Sequence, residues 1–261
     1  MAIGVVGYTI RFHTHTAKQV ERAYARLSEL GYDGAEGPLG ARLMPAEDEL
    51  ALLKANGLRI ADAYADVSKP DEAMRTAERY GVKLLGMPAV PSHMMCSSDG
   101  FYAYAEQMNE LAKPYRGTGY RLQYHNHSEE FRNFPNVGGK AGMTILMEES
   151  DPDTIVFELD THWMAAAGCD PAQWIRKAKG RIPVAHFKDL AIDHVFGIHN
   201  PGMVPRRFAE IGQGNINWEA VEQACIYAGV EWRCVEQDFC VGCPFDSLKI
   251  SIDFMRGMGI R

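Results

Sequence analysis

A regular alternation of short apolar runs with amphipathic stretches of helical period, sustained along the chain, most constrains what this sequence can fold into. Strand-like runs are expected at Gly4-Tyr8, Asp33-Glu36, Leu58-Ala63, Val82-Met87, Arg121-His125, Ile155-Leu159, Ile182-His186 and Trp232-Glu236. Helical patterns lie between them at about Ala17-Leu30, Ala46-Asn56, Asp71-Tyr80, Phe101-Arg116, Met143-Glu149, Pro171-Ala178 and Trp218-Ala228. A last helix is expected at about Ser247-Met255. The punctuation agrees: Gly31 and Gly229 close helical patterns where a left-handed C-cap belongs, and Thr16, Asp170-Pro171 and Asn217 suit helix starts. Eight strand–helix units in one series read as an α/β protein with a closed (β/α)8 TIM barrel. The competitor is a doubly wound sheet, which more often carries a glycine-rich first turn; Gly4-Val5-Val6-Gly7-Tyr8 is not GxGxxG.

A chain of 261 residues with 46% hydrophobic content has enough material for one sizeable core, so residues 1–261 are expected to form a single barrel domain. The formal charge of -7 argues against broad contact with nucleic acid or an anionic membrane surface. The amino terminus lacks the basic and apolar regions of a secretory leader, and no window reaches the roughly 18 apolar residues of a membrane span. A cytoplasmic protein is the expectation. Of six cysteines, Cys240 and Cys243 form one CxxC with no second pair, which points to free thiols rather than a zinc knuckle. The segment 188–215, rich in His, Gly and Pro, reads as a long loop without elements of its own, suited to an active-site flap or a contact in a homo-oligomer.

Chemistry gathers where the late strands stop. Asp160 follows Ile155-Leu159, His186 ends the seventh run, Glu236 ends the eighth, and Glu130 lies five residues beyond His125. In a barrel these positions share the carboxyl-terminal face, which carries catalysis. Each alone reads equally well as a surface polar residue after a strand; together Glu130, Asp160, His186 and Glu236 read as a hard, oxygen-rich metal site. Mn2+ is the preferred ion, with Mg2+, Co2+ and Zn2+ as alternatives. Glu158 shares strand parity with Asp160, as Lys188 does with His186. His127 and Lys188 are candidates for substrate oxygens, against the plainer readings of a core or solvated histidine and a surface lysine. Trp163 and Phe187 suit either an apolar wall or core packing.

The stretches LGYDGAE from 30, YHNHSEEF from 124, FELDTHW from 157, GRIPVAHFKDL from 180, FAEIGQGNINW from 208 and GVEWRCVEQD from 229 resemble the sugar phosphate isomerase/epimerase family, with its xylose isomerase-like TIM barrel. The resemblance implies a divalent metal held by two glutamates, an aspartate and a histidine. Asp160, His186 and Glu236 match three of these. Glu130 is the choice for the first glutamate, with Glu129 and the fifth-strand Gln123 as the open alternatives. Lys188 matches a lysine placed at the substrate. Two departures stand out: the third strand ends Asp62-Ala63-Tyr64 where relatives often have histidine, and Gly212-Gln213-Gly214 replaces an acidic Gly-x-Gly.

The implied activity is isomerisation or epimerisation of a sugar or keto-sugar through an enediolate. Glu130 and Glu236 would be the catalytic pair, with His127 and Lys188 stabilising oxygens. An elimination from a 3-keto-glycoside or keto-inositol, using the same first step, is the alternative. A noncatalytic carbohydrate-binding subunit is the bland reading, and metal-dependent phosphodiester cleavage is disfavoured by the acidic charge.

Overall fold

The apolar runs become eight parallel strands: β1 (Ala2–Val6), β2 (Gly34–Glu36), β3 (Arg59–Ile60), β4 (Leu84–Gly86), β5 (Arg121–His125), β6 (Ile155–Asp160), β7 (Val184–Phe187) and β8 (Trp232–Val235). The computed structural model describes residues 1–193 and 206–261. The strands run in the order β3-β2-β1-β8-β7-β6-β5-β4. The two ends meet through a parallel bridge between Ala63 and Leu85, where the Ala63 N–H donates to the Leu84 carbonyl at 3.0 Å. That contact closes the sheet into the expected (β/α)8 barrel and excludes an open doubly wound sheet.

The helices α1 (Ala17–Leu30), α2 (Ala46–Ala55), α3 (Pro70–Tyr80), α4 (Ser98–Ala112), α5 (Gly142–Glu149), α6 (Thr161–Ala166), α7 (Pro171–Lys177), α8 (Trp218–Ala228) and α9 (Pro244–Gly257) follow the strands. In α1, Val20, Ala23, Tyr24 and Leu27 recur at helical spacing and are buried. The Thr16 hydroxyl accepts from the Gln19 N–H at its start, and Gly31, at φ 88°, ends it. The Asn217 side chain caps α8 by accepting from the Ala220 N–H.

Period-2 alternation divides the core. Outward-facing Ile3, Val5, Leu122, Tyr124, Phe157, Ala185 and Phe187 join the large cluster shared with the helices. Ala2, Val6, Ala61, Leu84, Val156, Val184, Trp232 and Cys234 form a second apolar cluster on the inward-facing positions. Gly4 and Gly34 make room there: a Cβ on either would lie 3.2 or 2.9 Å from the Trp232 ring.

Three elements differ from the sequence reading. The first strand stops at Val6 because Gly7–His13 turns into 3-10 helix. A short helix, α6, follows β6 without a gap, its start capped by the last strand residue, Asp160. The 188–215 segment is not elementless: Asp189–Ile192 pairs antiparallel with Arg206–Ala209. The flap or subunit contact expected there falls partly on 194–205, outside the described residues.

Asp189 explains the glycines downstream. Its carboxylate accepts from the N–H groups of Gly212 and Gly214, both at 3.0 Å, and from the Trp218 indole at 2.7 Å. A Cβ on Gly214 would sit 2.2 Å from Asp189 Oδ1. The Gly-Gln-Gly turn is therefore shaped around a buried carboxylate.

Candidate metal centre and active site

On four strands, β2, β6, β7 and β8, the inward face is small or apolar low in the barrel and becomes polar as the strand ends. Gly34 gives way to Glu36, Val156 to Glu158 and Asp160, Val184 to His186 and Lys188, and Cys234 to Glu236. Strand register sets these beside one another: Asp160 pairs with His186, His186 with Cys234, and His125 with Glu158. Glu36, Asp62, Glu158, Asp160 and Glu236 are all buried. So many buried carboxylates are costly without compensating positive charge.

Four side chains converge. One ligand atom from each of His125, Asp160, His186 and Glu236 lies within 4.8 Å of the others; Glu36, Glu158 and His186 form a second such group. Asp160 divides its oxygens. Oδ1 accepts from the Trp163 N–H at 3.0 Å, whereas the buried Oδ2 has no hydrogen-bond partner among the described residues. His125 Nδ1 is likewise buried without a hydrogen bond, its 3.3 Å approach to Glu158 Oε2 being a charge contact only. Unspent donor atoms within reach of one another, in a bowl with surplus negative charge, fit a divalent cation. In the second group, Glu36 Oε2 is already 2.5 Å from His186 Nε2, and Glu158 Oε1 accepts from the Gln123 amide at 2.7 Å.

The structure brings together three of the four expected ligands, Asp160, His186 and Glu236. Glu130 lies outside both groups. It is buried, accepts from the Tyr124 hydroxyl at 2.5 Å and from the His127 N–H at 3.0 Å, and so straps the segment after β5. Tyr124 explains this: it faces outward on β5, packed against Tyr104 and Phe157, so a carboxylate that meets it is drawn outside the barrel. Glu129 is exposed, and Gln123 faces inward as a donor to Glu158 and Asp62. Inward-facing His125 joins the group in which Glu130 was expected.

Lys188 is buried 3.1 Å from Glu236 Oε2 and 3.5 Å from Asp160 Oδ2, and it pairs with Asp238. Its ammonium lies 4.8 Å from the Trp163 ring centroid and 5.1 Å from that of Phe208. Trp163 thus walls the site, whereas Phe187 packs outward against Trp218. The half-buried His127 ring sits 5.0 Å from His125 and 5.5 Å from Trp163. Sequence reasoning assigned no role to Glu36, Asp62, Tyr64 or Asp238. The available signal was parity: Glu36 lies two residues after Gly34, on the same inward face.

Proton affinities follow this crowding. Burial, and then Glu158, raise the Glu36 carboxyl; burial and Glu36 raise Asp62. Burial also opposes the charged forms of Glu158 and Glu236, but His186 and its neighbours outweigh it, holding Glu158 at about 2 and Glu236 well below the usual range. Burial works against the imidazolium of His186, yet Glu158 and Glu36 raise it well above normal. Burial and then His125 lower His127, leaving it neutral near pH 7.

Comparison with known proteins agrees with this architecture. The model of the xylose isomerase-like TIM barrel family matches residues 24–236. An inosose dehydratase from Lacticaseibacillus casei is 26% identical over 159 residues, 58% of this chain and 52% of that protein. The match thus spans about half the length of that curated relative. Among solved structures, a sugar phosphate isomerase/epimerase from Parabacteroides distasonis ATCC 8503 superposes with a TM-score of 0.76 at 20% identity, covering 99% of this chain and 95% of the other. A probable 3-DHS dehydratase involved in petrobactin synthesis, from Bacillus anthracis, superposes at 0.73 with 15% identity, covering 98% and 99%. No helix among the described residues is long and apolar enough to cross a membrane.

Proposed function

The chain belongs to the xylose isomerase-like TIM barrel family, and from that premise we propose that it is a divalent-metal enzyme of isomerase/epimerase type. Its substrate is a sugar or keto-sugar, from which it removes the proton next to a carbonyl to give an enediolate. The observation that carries this is the buried Asp160 Oδ2, without a hydrogen bond among the described residues, beside His125, His186 and Glu236, with the Lys188 ammonium 3.5 Å away. A divalent ion held by those four residues, Mn2+ by preference, supplies the Lewis acidity that makes the neighbouring proton acidic.

The chain's own groups divide the rest. Lys188 stabilises the developing oxyanion, and the aromatic faces of Trp163 and Phe208 shield its charge from water. Glu236 Oε2 is engaged by both His186 and Lys188, which makes it a poor base. His127 is neutral and is held through its backbone by Glu130, which suits it to carry the proton.

Elimination is a second reading with its own support. Inverting a centre calls for a proton carrier on each face of the substrate, and Glu130, the expected second carrier, is turned toward Tyr124. One carrier suffices to remove a proton and to assist a leaving group. Two dehydratases among the similar proteins support elimination as a reaction type; the substrate under this reading is a keto-inositol or 3-keto-glycoside. The test is to incubate Mn2+-loaded protein with aldoses, ketoses and keto-glycosides in deuterated water. Deuterium uptake at the carbon beside the carbonyl is expected; unchanged product mass apart from label means rearrangement, and loss of water or an alcohol means elimination. No exchange with any of them would leave only a sugar-binding role.

A further inference from the structure

His186 is faced by carboxylates on both edges of its ring. Nδ1 lies 3.1 Å from Glu236 Oε2 and 3.9 Å from Asp160 Oδ2. Nε2 lies 2.5 Å from Glu36 Oε2 and 3.3 Å from Glu158 Oε1. A neutral imidazole offers a metal one nitrogen and keeps hydrogen on the other, and the partner of that hydrogen decides which is which. The two edges differ in spacing. Atoms that share one ion at about 2.1 Å, at octahedral or tetrahedral angles, stand roughly 3.0–3.4 Å apart. Nδ1 and Glu236 have that separation, as do Nε2 and Glu158, but Nε2 and Glu36 are at hydrogen-bond distance.

Resting on the metal centre of the proposed function, we propose that Glu36 is a positioning residue: it accepts the Nε2–H hydrogen bond of His186 and so leaves the Nδ1 lone pair for the ion shared with Asp160 and Glu236. The deeper group of Glu36, Glu158 and His186 is then the support of the metal centre and not a second metal site. Glu36 is held for this task. It ends β2, its side chain is sealed from solvent, and its other oxygen, Oε1, takes the Tyr64 hydroxyl. The Tyr64 ring reaches it across two glycines: a Cβ on Gly37 would come within 2.6 Å of that ring, and one on Gly86 within 3.1 Å. Glu158 is held by a different donor, the Gln123 amide at 2.7 Å, which leaves Glu36 as the close acceptor for His186. Tyr64, four residues beyond β3, thus has a use: it orients the residue that orients the ligand.

The test uses the whole protein loaded with Zn2+, which is diamagnetic, with 15N-labelled histidines. Nitrogen–proton correlations are expected to place the His186 hydrogen on Nε2, the signal being assigned by its loss in His186→Asn. Glu36→Ala should weaken Zn2+ binding about 10–100-fold in competition with a chelator. Glu36→Gln, which keeps an acceptor oxygen, should recover most of that loss, and Tyr64→Phe should lose less than Glu36→Ala. If Glu36→Ala does not fold, the wild-type tautomer still decides. A hydrogen on Nδ1 in the loaded wild type overturns the inference alone. So does equal, ligand-sized loss in Glu36→Ala and Glu36→Gln, or unchanged affinity in Glu36→Ala. Failure of the wild type to bind Zn2+ overturns the metal reading and the inference together.

Discussion

Asp160→Asn separates the structural work of this residue from its metal work. Oδ1 caps α6 through the Trp163 N–H, and asparagine caps a helix as well as aspartate does. Oδ2 has no hydrogen-bond partner among the described residues, and burial raises the carboxyl, so its ionised form costs stability in the metal-free protein. The neutral amide removes that cost, while Lys188 keeps Glu236 and Asp238 as partners. Metal-free stability should therefore stay within about 1 kcal/mol of wild type. With Mn2+ at about 100 times its dissociation constant, the wild type gains ~2.7 kcal/mol. At roughly 2–4 °C per kcal/mol for a chain of this size, its Tm should rise by about 5–10 °C. A hundredfold weaker site would leave only ~0.4 kcal/mol, a shift of about 1 °C. Circular dichroism melts with Mn2+ and with chelator read all four values. A full Mn2+-dependent rise in Asp160→Asn would refute the assignment of Oδ2 to the ion.

Further outcomes follow from the same geometry. Glu130→Gln should bind Mn2+ within about threefold of wild type, a change below ~0.7 kcal/mol, yet slow deuterium uptake by loosening His127; calorimetry showing a ligand-sized loss would return Glu130 to the metal. Gly214→Ala should cost about 1–3 kcal/mol in urea unfolding, because its Cβ would meet Asp189 Oδ1 at 2.2 Å; an unchanged midpoint would count against the Asp189-centred turn. The His186 imidazolium, raised by Glu158 and Glu36 against burial, stabilises the metal-free fold below the unfolded pKa, and that contribution is lost as pH rises through the folded one. Mn2+ must displace this proton, so affinity should fall with acid and binding should release protons; calorimetry in buffers of differing ionisation enthalpy would expose the opposite sign.

The barrel was legible because both of its periods are written in the chain. Trp218–Ala228 and Ala17–Leu30 carry helical spacing between a capping side chain and a glycine, and their bounds agree with the sequence reading. The clustering of Asp160, His186 and Glu236 was legible because each stands where an apolar run stops. Glu130 falls outside the cluster for a tertiary reason: a sequence position after β5 does not say whether the chain turns back over the mouth or outside the strand. The outward hydroxyl of Tyr124 decides that. Glu36 was overlooked because β2 has only three residues, too few to display alternation without its neighbours. The Asp189–Ile192 ribbon was hidden by a composition of His, Gly and Pro, although pairing with Arg206–Ala209 needs only backbone groups in register.

The choice between reprotonation and elimination depends on how this bowl spends its positive charge. Lys188 and His186 are the cations closest to the buried carboxylates, and both are committed, Lys188 to Asp160, Glu236 and Asp238, and His186 to Glu36 and Glu236. A divalent ion held by His125, Asp160, His186 and Glu236 would take the place of the His186 proton, and Lys188 would then be free to meet a substrate oxygen. His127 then remains the neutral group at the mouth, with no carboxylate from β5 facing it across the substrate, because that strand offers Gln123 and His125 instead. Under the proposed mechanism, a site so arranged would remove a proton more readily than it returns one to the opposite face. For that reason a substrate bearing a leaving group beside the enediolate should turn over faster than an equally bound sugar that lacks one.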